Sequence, residues 1–134
     1  MAAFVKFVSY NLRGLRQGRM QLLELCNLYD IIAVQEHWLP DHDLQTINNL
    51  HKDFITISRS AMSQKLQAGF LVGRPFCGLA IMVRKSVCAN VRLLGFSSNC
   101  HCLSVSITLH SDFKLLVNVV YLPRADCSAE YKVV

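Results

Sequence analysis

Four consecutive apolar residues, Ile31-Ile-Ala-Val34, stand between Asp30 and the polar stretch Gln35-Glu36-His37. A strand with one wet face alternates apolar and polar residues, so a short unbroken run points to a strand covered on both faces. Such a strand needs packing above and below it, which requires a layered α/β or α+β domain. The chain is 134 residues long, with 52% hydrophobic and 17% charged residues, enough apolar material for a single core and too much for a disordered chain. We treat residues 1–134 as one domain, since no Pro-, Gly- or Ser-rich stretch divides them.

The segments around that run alternate in type. Phe4–Tyr10 is β-rich and alternating, so it reads as a strand, and Asn11–Gly18, with two glycines, reads as a loop. Met20, Leu23, Cys26 and Leu28 fall at helical spacing and predict a helix over Arg19–Leu28. Asp43–Leu50 predicts a short helix capped by Asp41 or His42, and Phe54–Arg59 a strand. Ser60–Phe76 has no period and contains Gly69, Gly73 and Pro75, which predicts a long exposed loop. After Gly78 come four strand patterns in succession, Leu79–Arg84, Val91–Phe96, Cys102–Leu109 and Lys114–Leu122, the last two forming a hairpin. Ala129–Val134 reads as the beginning of a further helix. Early helices followed by consecutive strands give a mixed α+β class.

Several functional classes fall away. No apolar run approaches the about 20 residues of a membrane span, although mean hydropathy is +0.30. The first ten residues, interrupted by Lys6, lack a secretory apolar core. With no secretory signal, the six cysteines read as reduced thiols in an intracellular, reducing compartment, nucleus or cytoplasm, with no disulfide-linked partner. Cys100-His101-Cys102 is a poor zinc clip, because adjacent strand positions face opposite ways and no CxxC or HxxxH accompanies it. The net charge of +5 is compatible with nucleic acid; Arg13, Arg16 and Arg19 within seven residues are either a phosphate-attracting cluster or ordinary solvated surface.

Three residues could carry chemistry. Glu36 directly follows the doubly covered strand, at the carboxyl end of the sheet where ligands of open α/β sheets bind. A carboxylate there suits magnesium, but it also suits an ordinary loop acid. Asn11 ends the first strand in the same way; its amide can serve a metal or a phosphate, or simply start a turn. Tyr121 ends a later strand, its hydroxyl available to a phosphate or its ring to packing.

Taken in order, Ser9-Tyr10-Asn11-Leu12-Arg13-Gly14, Val34-Gln35-Glu36-His37-Trp38-Leu39, Gly73-Arg74-Pro75-Phe76-Cys77-Gly78-Leu79-Ala80 and Asn118-Val119-Val120-Tyr121-Leu122-Pro123 resemble the successive motifs of the endonuclease/exonuclease/phosphatase superfamily. The middle motifs are most similar to the endonuclease domain of non-LTR retrotransposons. The resemblance implies a four-layer αββα sandwich with two facing mixed sheets, and magnesium-assisted (or manganese-assisted) hydrolysis of a DNA phosphodiester. It further implies that Glu36 and Asn11 are the metal-side residues, that Tyr121 touches the scissile phosphate, and that Arg13 and Arg16 contact flanking phosphates.

The chain departs from the pattern in three places. Arg13 stands where abasic-site endonucleases usually carry an acid, and Cys77 where the retrotransposon-like motif carries glycine. The family's Asp-x-Asn motif after the tyrosine strand has no counterpart, and neither does its terminal Ser-Asp-His. The expectation is therefore an N-terminal, partial domain, inactive or nearly so by itself. Two alternatives stand beside a DNA-nicking endonuclease: a non-catalytic or degenerate nucleic-acid-binding fragment, and a phosphatase of the same superfamily.

Overall fold

A computed structural model describes residues 4–62, 66–67, 70–71 and 77–122. The elements in chain order are β1 (Phe7–Asn11), α1 (Leu15–Leu28), β2 (Ile31–Gln35), a 3-10 turn (Asp41–Asp43), α2 (Gln45–Asn48), β3 (Phe54–Arg59), β4 (Leu66–Gln67), β5 (Phe70–Leu71), β6 (Leu79–Arg84), β7 (Cys88–Phe96), β8 (Cys102–Leu109) and β9 (Lys114–Val120). One sheet has the order β1-β2-β6-β3, with β1 and β2 parallel and β6 antiparallel to both β2 and β3. A second sheet, β7-β8-β9, is antiparallel throughout. The expectation of two mixed sheets therefore fails for the second, whose strands follow one another through short turns that permit only antiparallel pairing.

The two faces of the first sheet build two cores. Ile31, Ala33, Leu79, Ile81 and Val83 face Leu103, Val105, Ile107 and Val119 of the second sheet. Ile32, Val34, Ala80 and Met82 face Leu15, Leu22 and Cys26 of α1, with Ile47 and Phe54. The unbroken run in β2 thus packs on both sides, as its sequence requires. The described residues make three layers, α–β–β, of the four-layer arrangement; the outer face of β7-β8-β9 carries exposed Leu94, Leu116 and Val120.

The helix begins earlier than its sequence suggests. α1 starts at Leu15, so Arg16 and Gly18 are helical and not in a loop. Gly18 misleads because it serves packing: a Cβ there would run into the Leu12 side chain and the Leu12 carbonyl, the latter at 2.8 Å. The buried stripe is Leu15, Gly18, Leu22 and Cys26, while Met20 and Leu28 point to solvent. At the far end no basic residue occupies the last turn of α1. Arg84 of β6 serves that end instead, donating to the carbonyls of Cys26 and Tyr29 and to Asp30 Oδ1 at 3.0 Å while lying 4.7 Å over the Phe54 ring.

The second predicted helix shrinks to the 3-10 turn and one turn of α2, and neither start has a side-chain cap from Asp41 or His42. The predicted loop at Ser60–Phe76 contains the small β4–β5 hairpin, registered Leu66↔Leu71, and begins with Ser60 and Met62 buried, not exposed. The Gly73–Phe76 part of its motif, Pro123 and the helix expected over Ala129–Val134 lie outside the described residues.

Candidate functional site

β1, β2 and β3 run parallel to one another and end together. Asn11 pairs in register with Gln35, and Arg59 with Leu79 at the start of β6. The chain leaves β1 and β2 through a shared set of backbone bonds: Leu12 N–H to Gln35 O (2.8 Å), Gly14 N–H to Glu36 O (2.7 Å) and Leu15 N–H to His37 O (3.0 Å). These bonds lock the loop carrying Asn11 and Arg13 to the one carrying Glu36. Asn11 and Glu36 therefore leave neighbouring strands at one end of the sheet.

The exposed Asn11 accepts the Arg13 N–H at 3.2 Å through Oδ1, an Asx-type turn that keeps a second lone pair on that oxygen. Arg13 has φ of 53° and Glu36 of 58°, both in the left-handed region that side chains seldom adopt. Glu36 is half-buried. Arg13 and Arg16 are exposed, the first in the turn before α1 and the second in its first helical turn, which holds no acid.

The buried residue of this end is His37, which sequence reasoning places only as a loop residue. Its Nδ1 accepts the Leu39 N–H at 2.9 Å, leaving the proton on Nε2, which donates to Arg59 O at 2.9 Å. Burial pushes the imidazole down to about 4, against the opposing pull of backbone bonds to Arg59 and Leu79. The His37 N–H also reaches Gly78 O at 3.3 Å, and Trp38 N–H reaches Cys77 O at 3.0 Å. The signal in the sequence is its place: a ring two residues beyond a buried strand, opposite a glycine.

Tyr121 joins this end from the other sheet. Cys77 Sγ lies 3.5 Å from Cys100 O in the β7–β8 turn, and the Tyr121 N–H donates to His101 O at 2.8 Å just past β9. The Tyr121 ring sits edge-on to His101, centroids 5.9 Å apart, and packs in part against the core between the sheets. The structure thus places Asn11 and Glu36 at neighbouring strand ends and sets Tyr121 at the same end on the facing sheet. An open groove of about 690 Å³ beside α1 is lined by Asn11, Arg13, Gln17, Gln21 and Trp38, among others.

No protein-family model matches the sequence, and no curated protein matches it. The solved structures tell more. The catalytic domain of APE2 from Xenopus laevis aligns with a TM-score of 0.61 at 20% identity, over 92% of this chain and 47% of that one. The AP endonuclease from Leishmania major aligns with a TM-score of 0.60 at 11% identity, over 96% of this chain and 45% of that one. The fold is that of the endonuclease/exonuclease/phosphatase superfamily. A 3′ phosphatase from Neisseria, bound to a product DNA hairpin, aligns with a TM-score of 0.54 at 17% identity, over 95% of this chain and 47% of that one. This chain accordingly spans about half the length of the superfamily structures it matches.

Hard oxygen donors are what magnesium takes, commonly one or two protein groups with water and substrate phosphate completing the shell. A carboxylate at Glu36 and an amide oxygen at Asn11, on adjacent strand ends, fit that pattern. Among the described residues no group of three or more His, Cys, Asp or Glu forms a fuller cage.

Proposed function

We propose that this chain is the N-terminal portion of a magnesium-dependent phosphodiesterase that nicks DNA, of the kind carried by non-LTR retrotransposons. The observation that carries it is Glu36: a half-buried carboxylate in left-handed backbone at the carboxyl end of a doubly packed strand, tied through Gly14 to the loop of Asn11. Bound there, the cation would polarise a phosphoryl oxygen and stabilise developing charge. Glu36 and Asn11 are the groups that would hold it. Tyr121 directs its hydroxyl to the scissile phosphate, and Arg13 and Arg16 position flanking phosphates without reading sequence. Such an enzyme works in the nucleus or cytoplasm.

A second reading, a nucleic-acid-binding module without cleavage, is favoured by the sparse donor set among the described residues. Manganese binding followed by calorimetry, with plasmid nicking and phosphomonoester release in parallel, separates the readings. Glu36→Gln is expected to lose metal binding with an unchanged melting curve. Unchanged manganese affinity in that variant removes Glu36 from the site. DNA binding without nicking supports the module, and phosphomonoester release without nicking supports a phosphatase.

A further inference from the structure

We propose that the shallow groove between α1 and α2 is a second contact surface for the DNA backbone, with Arg19 as its anchor. The proposal deepens the nucleic-acid reading above and rests on it. The groove has a volume of about 290 Å³ and is lined by Leu15, Arg16, Arg19, Leu39 and Thr46. Arg16 and Arg19 are three residues apart on one helix, so they are surface neighbours about one turn apart. They repel each other, no acid stands in the first turn of α1, and neither guanidinium is in an ion pair among the described residues. An apolar floor of Leu15 and Leu39 below two cations, with a hydroxyl at Thr46, suits a sugar–phosphate unit. The deoxyribose rests on the floor and the phosphate meets the guanidiniums and the hydroxyl.

The larger groove, with Asn11, Arg13, Gln17 and Gln21, lies along the other flank of the same helix, so the two arginines offer a contact separate from it. Arg16 and Arg19 are about 4.5 Å apart in rise along the helix axis, so both guanidiniums can reach the backbone of one strand.

The test is the salt dependence of duplex binding by the full chain, read with short fluorescent DNA duplexes of unrelated sequence. Removing a cation that neutralises one phosphate lowers the slope of log affinity against log salt by about 0.9. Arg19→Ala is expected to lower it by that amount and weaken binding several-fold, equally on every sequence. Arg19→Gln, which keeps the aliphatic stem, is expected to do the same. Arg92→Ala, on the outer face of β7-β8-β9, is expected to change nothing. An unchanged slope for Arg19→Ala, with lowered slopes for Arg13→Ala and Arg16→Ala, overturns this proposal and leaves the DNA reading intact. Unchanged slopes for all three, or no duplex binding by the parent chain, overturn both.

Discussion

Lowering the pH should loosen the strand-end site through His37. The ring is fully buried, accepts one backbone hydrogen bond and donates another, and neither arrangement accommodates a second proton. Its folded value of about 4 lies below the ordinary 6.5, so the unfolded chain binds the proton more readily. Stability is then fully present above pH 6.5 and is lost as the pH falls toward 4, because protonation pulls the equilibrium to the unfolded side. The gap between the two values corresponds to about 3 kcal/mol by pH 4, a large part of the total stability of a small domain. Urea denaturation at pH 7, 5.5 and 4 measures it, with His37→Gln as the reference for every other effect of acid. The glutamine retains a donor for Arg59 O and loses the acceptor for Leu39 N–H, at a cost of about 1–2 kcal/mol at pH 7. It should then lose about 3 kcal/mol less than the parent chain on going to pH 4. Parallel losses in the two proteins would refute the reasoning, because the buried ring would not be what acid disturbs.

Two further substitutions probe the same framework. Gly78→Ala should destabilise by about 2–4 kcal/mol, since φ is +95° and the added Cβ would lie 2.5 Å from His37 Nδ1; a melting curve within a degree of the parent's would contradict this. Arg84→Ala should cost about 3 kcal/mol, because it removes the partner of Asp30 Oδ1 and of the two carbonyls at the end of α1, leaving Asp30 only the Lys6 N–H. Arg84→Lys should recover less than half of that loss in urea denaturation, as an ammonium lacks the planar fork that serves three acceptors and covers the Phe54 ring.

Much of the scaffold is legible because its signals are local. The apolar run of β2, the strand patterns of β3, β6 and β8, and the β8–β9 hairpin all follow from residues a few positions apart. The start of α1 is not legible, because Gly18 looks like a helix breaker until Leu12 is known to press against it. The apolar face of α1 is easily misread because Met20 and Leu28 share a helical period with Cys26 while the sheet takes up Leu15, Leu22 and Cys26 instead. β7 extends back to Cys88 because Cys88 and Asn90 pair with Leu109 and Thr108 of β8 across a register shift at Ala89, although Asn has little strand preference of its own. In the site, Asn11 and Glu36 are readable as strand ends, whereas His37 is marked only by its place two residues beyond a buried strand, and its bonds to Arg59 and Gly78 depend on contacts distant in sequence.

Cys77, which stands where the retrotransposon-like motif carries glycine, holds a backbone conformation that suits glycine better. Its φ is +51°, in the region glycine enters freely and a side chain enters only with strain. Arg13, Glu36, Trp38 and Cys100 share that conformation at the same end of the two sheets, and Asp112 adopts it in the β8–β9 turn at the other end. Strain of about 1–3 kcal/mol at each such residue persists only where neighbouring bonds over-determine the backbone. Here Gly14 to Glu36, Leu15 to His37, His37 to Gly78 and Trp38 to Cys77 do so, each linking one strained segment to the next. A loop free to relax would let Glu36 fall back to ordinary torsions. The bonds that hold the strain also fix the ends of β1 and β2 relative to each other, and the Cys77 side chain is accommodated by burial beneath the Cys100 carbonyl. Glycine at position 77 would remove the strain there and leave that at Glu36 in place, held by the same backbone bonds.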